Sequence, residues 1–218
     1  MKPELVIFDM DGLMFDTERI YYQAWKAAMT FYGYGFSWEV YIQLVARNSH
    51  TIGLILKKIY GESFPYEAVR DKKREISDEI IAEQGMPKKP GLMELLDFLE
   101  EEGIKKAVAT SSTREKALNY LELGGVKIRF DHIVCGSDVR ESKPHPEIFE
   151  IAARYLHISP QQCIVLEDSK MGIKAAKAAG MYSIFIPDLV EMDEEIQKDA
   201  STTLENLYEV INWIKTVK

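Results

Sequence analysis

Short apolar runs alternate with longer amphipathic stretches along much of this chain. Five runs of four or five residues have the length and flanks of buried parallel strands. These runs are Leu5–Phe8, Lys106–Ala109, Asp131–Cys135, Cys163–Leu166 and Tyr182–Ile186. Apolar residues recur at helical spacing in Gly91–Gly103, Thr113–Leu123, Pro146–Leu156 and Lys170–Ala179. The alternation predicts βαβ units, and therefore an α/β fold with a parallel sheet core flanked by helices.

The segment Thr17–Met86 interrupts this alternation. It contains no convincing strand pattern, and its aromatic and aliphatic residues recur at helical spacing between turn residues. We predict an all-helical domain inserted after the first strand, over residues 17–87. Residues 1–16 and 88–218 then form the core domain. Further along, the acidic run Glu191–Glu195 predicts the solvated start of a helix.

Composition narrows the function. The chain has 218 residues and a net charge of −8, which argues against non-specific binding of nucleic acid. No stretch approaches the ~20 apolar residues of a membrane span, and the short apolar run near Met1 predicts a strand and not a signal peptide. We therefore expect a cytoplasmic monomer that binds neither nucleic acid nor membrane. Cys135 and Cys163 lie at the edges of apolar runs, so we expect buried, reduced thiols.

Two carboxylates follow the first predicted strand, in Phe8-Asp9-Met10-Asp11-Gly12. In an extended chain residues i and i+2 point the same way, with Cα atoms about 6.6 Å apart. A phosphoryl group fits that spacing, so that one carboxylate could attack phosphorus while the other handles a proton. Alternatively, Asp9 and Asp11 are turn-forming residues before a glycine.

Three further polar motifs follow predicted strands. They are Ala109-Thr110-Ser111-Ser112, Ser142-Lys143-Pro144-His145-Pro146 and Leu166-Glu167-Asp168-Ser169. The first provides hydroxyls and N–H groups for an anion, the second a lysine on a stiff segment, and the third two carboxylates. Taken singly, each motif has a purely structural interpretation. The first and third would be helix caps, and the lysine of the second would be a solvated loop residue.

The order of these motifs is more informative than any one of them. The carboxyl ends of parallel strands share one edge of a sheet, where ligands bind. Four carboxylates would then meet there and repel one another unless a cation is present. Oxygen ligands favour a hard cation, so the sequence predicts Mg²⁺, with Mn²⁺ as another divalent ion that the site could accept.

In this order and spacing, the four motifs resemble those of the haloacid dehalogenase superfamily over essentially the whole chain. The resemblance implies a Rossmann-like core with an inserted all-helical cap domain, as in the branch of β-phosphoglucomutase and phosphosugar phosphatases. It also implies site roles. Asp9 would be the nucleophile and Asp11 the acid and base, while Thr110, Ser111 and Lys143 would hold phosphoryl oxygens.

The same resemblance implies the metal ligands. Asp9, the backbone carbonyl of Asp11 and Asp168 would bind Mg²⁺, with Glu167 binding directly or through water. The activity implied is a phosphatase that hydrolyses small phosphorylated metabolites, in particular sugar phosphates, through an aspartyl phosphate on Asp9. Dehalogenase members lack the second aspartate of the first motif, so Asp11 favours phosphoryl transfer.

A β-phosphoglucomutase that interconverts glucose 1-phosphate and glucose 6-phosphate is the alternative. Mutases carry a histidine where this chain has Tyr21, and a glycine where it has Ala46. Ser49 or His50 falls near their sugar-phosphate-binding arginine, and Arg47 could substitute for it only if the backbone path differs. These departures favour hydrolysis. A non-enzymatic, receiver-like phosphoacceptor domain is a remote alternative, because receivers are shorter and lack the helical insert.

Overall fold

The computed structural model of the protein describes residues 3–45, 47, 49–189 and 192–217. The chain divides into two compact units. The first, the α/β unit, comprises Met1–Phe15 and Pro87–Lys218, and the second, the helical unit, comprises Asp16–Met86. Ala46, which stands where mutases have a glycine, and Glu191, which begins the acidic run, lie outside the described residues.

A six-stranded parallel sheet forms the centre of the α/β unit, in the order β3-β2-β1-β4-β5-β6. The strands are β1 Leu5–Phe8, β2 Lys105–Thr110, β3 His132–Cys135, β4 Cys163–Glu167, β5 Tyr182–Phe185 and β6 Thr202–Thr203. Phe8 at the end of β1 is level with Val108 of β2 and Leu166 of β4. This register brings the residues that follow these three strands to one edge of the sheet.

In the described part of this unit, six α-helices connect the strands or follow them. They are α5 Leu92–Glu101, α6 Arg114–Leu123, α7 Glu147–Tyr155, α8 Lys170–Ala178, α9 Glu194–Asp199 and α10 Leu207–Val217. All four residues of β1 are fully buried, because the sheet is covered on both faces. On one face, α7 and α8 pack against alternate residues of the central strands, including Leu5 and Ile7. The predicted α/β fold with a parallel sheet is therefore confirmed.

Strand and helix boundaries differ from the sequence patterns by one or two residues. Strands β2 and β4 each extend into the polar motif that follows, so that Thr110 and Glu167 are the last strand residues. Helix α9 begins at Glu194, where the side chain of Asp193 accepts a hydrogen bond from the N–H of Ile196. Strand β6 and helix α10 have no counterpart in the predicted elements. Strand β6 has only two residues, and both elements lie after the last of the four motifs.

Four α-helices make up the described part of the helical unit. They are α1 Thr17–Phe31, α2 Trp38–Ile42, α3 Ser49–Tyr60 and α4 Tyr66–Gln84. The helices α1 and α4 pack against each other, and Ala24, Ala28 and Ile81 are among their buried residues. The predicted all-helical insert is therefore confirmed as a fold class. None of the helices in the described ranges has the length and apolar character needed to cross a membrane. Both cysteines are buried free thiols, as expected.

Replacing Ile148 by alanine tests the packing of α7 on the sheet. Ile148 is 2% exposed within the buried cluster, so we expect Ile148→Ala to lower the free energy of unfolding by about 2–5 kcal/mol. Glu150 on the same helix is exposed, and Glu150→Ala should change it by less than about 0.5 kcal/mol. Urea-induced unfolding measures both. Equal effects of the two substitutions would contradict this packing.

Candidate active site

Asp9 directly follows β1 and continues its pairing with β4. Its N–H donates a hydrogen bond to the carbonyl of Leu166 (3.0 Å), which keeps Asp9 level with the end of β4. The chain then turns tightly, and the N–H of Gly12 donates to the carbonyl of Phe15 (3.0 Å). Gly12 has a φ of +85°, a backbone conformation that glycine adopts without strain. This turn places Asp11 just beyond the sheet edge.

The ammonium group of Lys143 joins three strand ends. Its Nζ lies 2.6 Å from Oδ1 of Asp9, 2.5 Å from Oε1 of Glu167 and 3.1 Å from the carbonyl oxygen of Ala109. The Lys143 side chain is 5% exposed and that of Glu167 is fully buried. All three donors of the ammonium group therefore have acceptors, as a buried charge requires.

Burial and neighbouring charges shift the pKa values of this group. Burial raises the pKa of Asp9 to about 7, Lys143 opposes the rise, and Glu167 and Asp11 add to it. Burial acts to lower the pKa of Lys143, but Asp9 and Glu167 outweigh burial, so the pKa of Lys143 is raised. The lysine thus stays charged while Asp9 is poised between its two protonation states near neutral pH.

Glu167 is held on both sides by the protein. Its second oxygen, Oε2, accepts hydrogen bonds from the N–H (3.1 Å) and hydroxyl (2.8 Å) of Ser169. Gly172 on α8 makes room for the carboxyl group, because a β-carbon there would lie 1.9 Å from its carbon atom. Glu167 is therefore enclosed, with protein partners on each oxygen.

Asp11 is bonded from the segment after β2. Its Oδ2 accepts a hydrogen bond from the hydroxyl of Ser112 (2.8 Å), and Nζ of Lys116 lies 3.1 Å from its Oδ1. From the sequence, Ser112 is expected only among the hydroxyls that could bind an anion, and Lys116 has no predicted role. Lys116 lies one helical turn after Ser112, in the first turn of α6. A cation in the first turn after a predicted anion cradle is the signal that could have identified it.

The hydroxyl residues after β2 differ in their exposure. Thr110 is buried, and its Oγ1 accepts a hydrogen bond from the N–H of Ser112 (3.1 Å). Ser111 is exposed, and its carbonyl lies against Gly136, where a β-carbon would be only 2.4 Å away. The cradle is therefore shaped by backbone contacts, with Thr110 facing inward and Ser111 open to solvent.

Asp168 lies beside the turn after β1. A β-carbon on Gly12 would be 2.3 Å from Oδ2 of Asp168, so only glycine permits this approach. Within the described ranges, no group of three or more histidine, cysteine or acidic side chains is arranged to hold a metal ion. The four-carboxylate metal cluster expected at this edge is therefore not found among the described residues. The ligand set implied by the resemblance needs only the carboxylates of Asp9 and Asp168 and the backbone carbonyl of Asp11, with Glu167 binding directly or through water. These oxygen donors suit a hard divalent cation.

The fold and this edge define a class of proteins: parallel α/β proteins with paired carboxylates and a lysine at the carboxyl ends of the central strands. Residues 6–186 match the family described as haloacid dehalogenase-like hydrolases. The match covers more than half of the chain, so the chain belongs to this family.

Individual relatives support the same assignment. A phosphorylated carbohydrates phosphatase of Thermotoga maritima is 30% identical over 220 residues, covering 98% of this chain and 99% of the relative. The fructose-1-phosphate phosphatase YqaB of Escherichia coli is 28% identical, covering 82% and 94%. A solved structure of a candidate β-phosphoglucomutase from Thermotoga maritima has a TM-score of 0.85 at 28% identity and covers 99% and 100%.

The raised pKa of Asp9 predicts a pH dependence of stability in the metal-free protein. The folded state disfavours the ionised form, so Asp9 destabilises the protein above pH 7. This cost falls as the pH drops from about 7 toward the ordinary value of 3.8. Asn at position 9 does not titrate, so at pH 8 the variant lacks this cost and gains stability relative to the natural protein. We expect this gain in the free energy of unfolding to fall by a few kcal/mol between pH 8 and pH 4, since each pKa unit corresponds to about 1.4 kcal/mol.

Urea-induced unfolding in the presence of a chelator measures this difference. Asp78 is exposed and serves as the control. The free energy of unfolding of Asp78→Asn should differ from that of the natural protein by the same amount at pH 8 and at pH 4. If Asp9→Asn behaves like Asp78→Asn, Asp9 titrates normally and its burial does not shift the pKa.

Proposed function

We propose that this protein is a Mg²⁺-dependent phosphatase that hydrolyses small phosphorylated metabolites, in particular sugar phosphates, through an aspartyl phosphate on Asp9. The observation that carries the proposal is the buried Asp9 carboxylate, bonded to Lys143 at 2.6 Å, with Asp11 two residues further on. The names of the phosphatase relatives support the same substrate class.

Asp9 is proposed as the nucleophile. Lys143 bonds one oxygen of its carboxylate, so the group is fixed in orientation and retains a second oxygen for attack. A bond forms between this oxygen and phosphorus, and the bond from phosphorus to the ester oxygen breaks. Positive charge on Lys143 favours the ionised, nucleophilic form of Asp9, against the effect of burial.

Asp11 is proposed as the general acid and then the general base. It would give its proton to the departing ester oxygen, and would then accept a proton from the water that hydrolyses the aspartyl phosphate. The hydroxyl of Ser112 and the ammonium group of Lys116 hold its carboxylate from one side. These contacts support a fixed position for proton transfer.

Thr110, Ser111 and Lys143 are proposed to bind phosphoryl oxygens. Lys143 is already close to Asp9, so its charge would lie next to any group attached to that carboxylate. Ser111, which is exposed ahead of α6, supplies a further hydroxyl donor.

Asp9, the carbonyl of Asp11 and Asp168 are proposed to hold Mg²⁺, or Mn²⁺ in its place. The cation would supply positive charge to neutralise phosphoryl oxygens and to keep Asp9 ionised. Both carboxylate oxygens of Glu167 have protein partners. This favours binding of the cation by Glu167 through water over direct binding.

Hydrolysis is favoured over mutase activity by the helical unit's sequence. A mutase must bind a second phosphate, and Ser49 or His50 falls near the position of the mutase arginine. The Ser49 hydroxyl lies 2.8 Å from the hydroxyl of Tyr66 within the same unit. We also propose that the helical domain spans residues 17–87. The monomeric state and the cytoplasmic location stay predictions from the sequence.

Phosphate release from a panel of sugar phosphates tests the proposal. We expect activity that requires Mg²⁺, is abolished in Asp9→Asn, and falls by about 10²- to 10⁴-fold in Asp11→Asn. Asp78→Asn should retain full activity. Near-normal turnover by Asp9→Asn would rule out the covalent mechanism.

Glucose 1-phosphate, supplied with a bisphosphate activator, separates the phosphatase from the mutase. We expect free phosphate and glucose as products. Glucose 6-phosphate as the dominant product, with little free phosphate, would show that the mutase alternative is right.

A further inference from the structure

Asp188 is a buried carboxylate that the proposed mechanism does not use. It follows β5 after Ile186 and Pro187, and the N–H of Ile186 donates a hydrogen bond to the carbonyl of Glu167 (2.8 Å). Asp188 thus emerges at the same sheet edge as Glu167 and Asp168, one strand along. Its side chain is 8% exposed.

Lys89 fixes one of the two carboxylate oxygens of Asp188. Nζ of Lys89 lies 2.6 Å from Oδ1, and the lysine side chain is itself 19% exposed. The backbone N–H of Lys89 donates to the carbonyl of Met14 (2.9 Å), in the turn that carries the first motif. The ion pair therefore sets the orientation of the Asp188 carboxylate relative to that turn.

The other oxygen, Oδ2, is buried and has no hydrogen-bond partner among the residues that the structure describes. A buried acceptor without a hydrogen-bond partner destabilises the protein, and more so when the group is charged. This oxygen points toward Gly12. A β-carbon there would be 3.2 Å from Oδ2 of Asp188 and 2.3 Å from Oδ2 of Asp168. The two oxygens are thus no farther apart than the sum of these distances.

Two carboxylate oxygens that converge on one glycine need positive charge or hydrogen-bond donors between them. Lys89 bonds the opposite oxygen of Asp188. Mg²⁺ keeps several of its waters when proteins bind it, and such waters donate hydrogen bonds to nearby carboxylates. Carboxylates that hold the partners of a metal in this way contribute about 10- to 100-fold to metal affinity.

We propose that Asp188 is a positioning residue of the divalent-cation site: its Oδ2 accepts a hydrogen bond from the hydration shell of the cation, and Lys89 fixes its Oδ1. This inference rests on the proposed function, which places the cation at Asp9, Asp11 and Asp168. It adds a residue outside the four motifs and assigns a role to the ion pair between Lys89 and Asp188.

Cation binding to the metal-free protein, measured by calorimetry with Mg²⁺ and by the spectroscopic signal of free Mn²⁺, tests the inference without any turnover. We expect Asp188→Asn to weaken binding by about 10- to 100-fold. Asp199→Asn is the matched control, because Asp199 also pairs with a lysine, Lys177 at 2.7 Å, and its loss changes the net charge equally. Its affinity should stay within about twofold of the natural protein.

The double variant K89M/D188N separates a role toward the cation from a role as the partner of Lys89. It removes the pair as a unit, so no buried ammonium group is left alone and folding is protected. We expect it to bind the cation as weakly as Asp188→Asn does. Restored affinity in the double variant, or unchanged affinity in Asp188→Asn, would overturn the inference.

These outcomes are distinct from failure of the proposed function. If Asp9→Asn abolishes Mg²⁺-dependent phosphate release while Asp188→Asn binds the cation normally, the phosphatase proposal stands and only the role of Asp188 is wrong. If the natural protein binds neither Mg²⁺ nor Mn²⁺, both proposals fail.

Discussion

The ammonium group of Lys143 is buried between two carboxylates and a carbonyl oxygen that belong to three neighbouring strands. Removing one partner of such a buried pair costs about 3–5 kcal/mol, because the remaining charge has no compensation. The lysine therefore ties the ends of β1, β2 and β4 together at the point where Asp9 leaves the sheet. Burial raises the pKa of Asp9, and the excess of negative charge left when one cation faces two carboxylates adds to this rise.

Backbone topology explains why the sequence predicts so much of this edge. The register of β1 with β4 places Asp9 beside Glu167, since Phe8 is level with Leu166. Each motif follows a strand of apolar residues, and parallel strands end on the same side. Four apolar runs and the polar residues after them therefore suffice to predict that Asp9, Lys143 and Glu167 come together.

Side-chain partners are harder to predict than strand ends. Lys116 reaches Asp11 from a helix surface, and Asp188 pairs with Lys89 across 99 residues of sequence. Such pairs depend on side-chain rotamers and on the rotation of helices about their axes, and the spacing of apolar residues predicts neither. The short β6 and the helix α10 lie after the last motif, where no polar signal marks a strand end. Pattern reasoning thus locates the site but not the residues that orient it.

Two glycines show how closely the site is packed around its carboxylates. Gly172 leaves space for the carboxyl group of Glu167, and Gly12 leaves space for that of Asp168. In both places the neighbouring group is a carboxylate. That of Glu167 cannot move aside without losing its hydrogen bonds to Ser169 or its ion pair with Lys143. The absence of a side chain at these positions is therefore as much a part of the site as the acidic residues are. It lets acidic groups from β4 approach the turn after β1, where Asp9 and Asp11 are fixed.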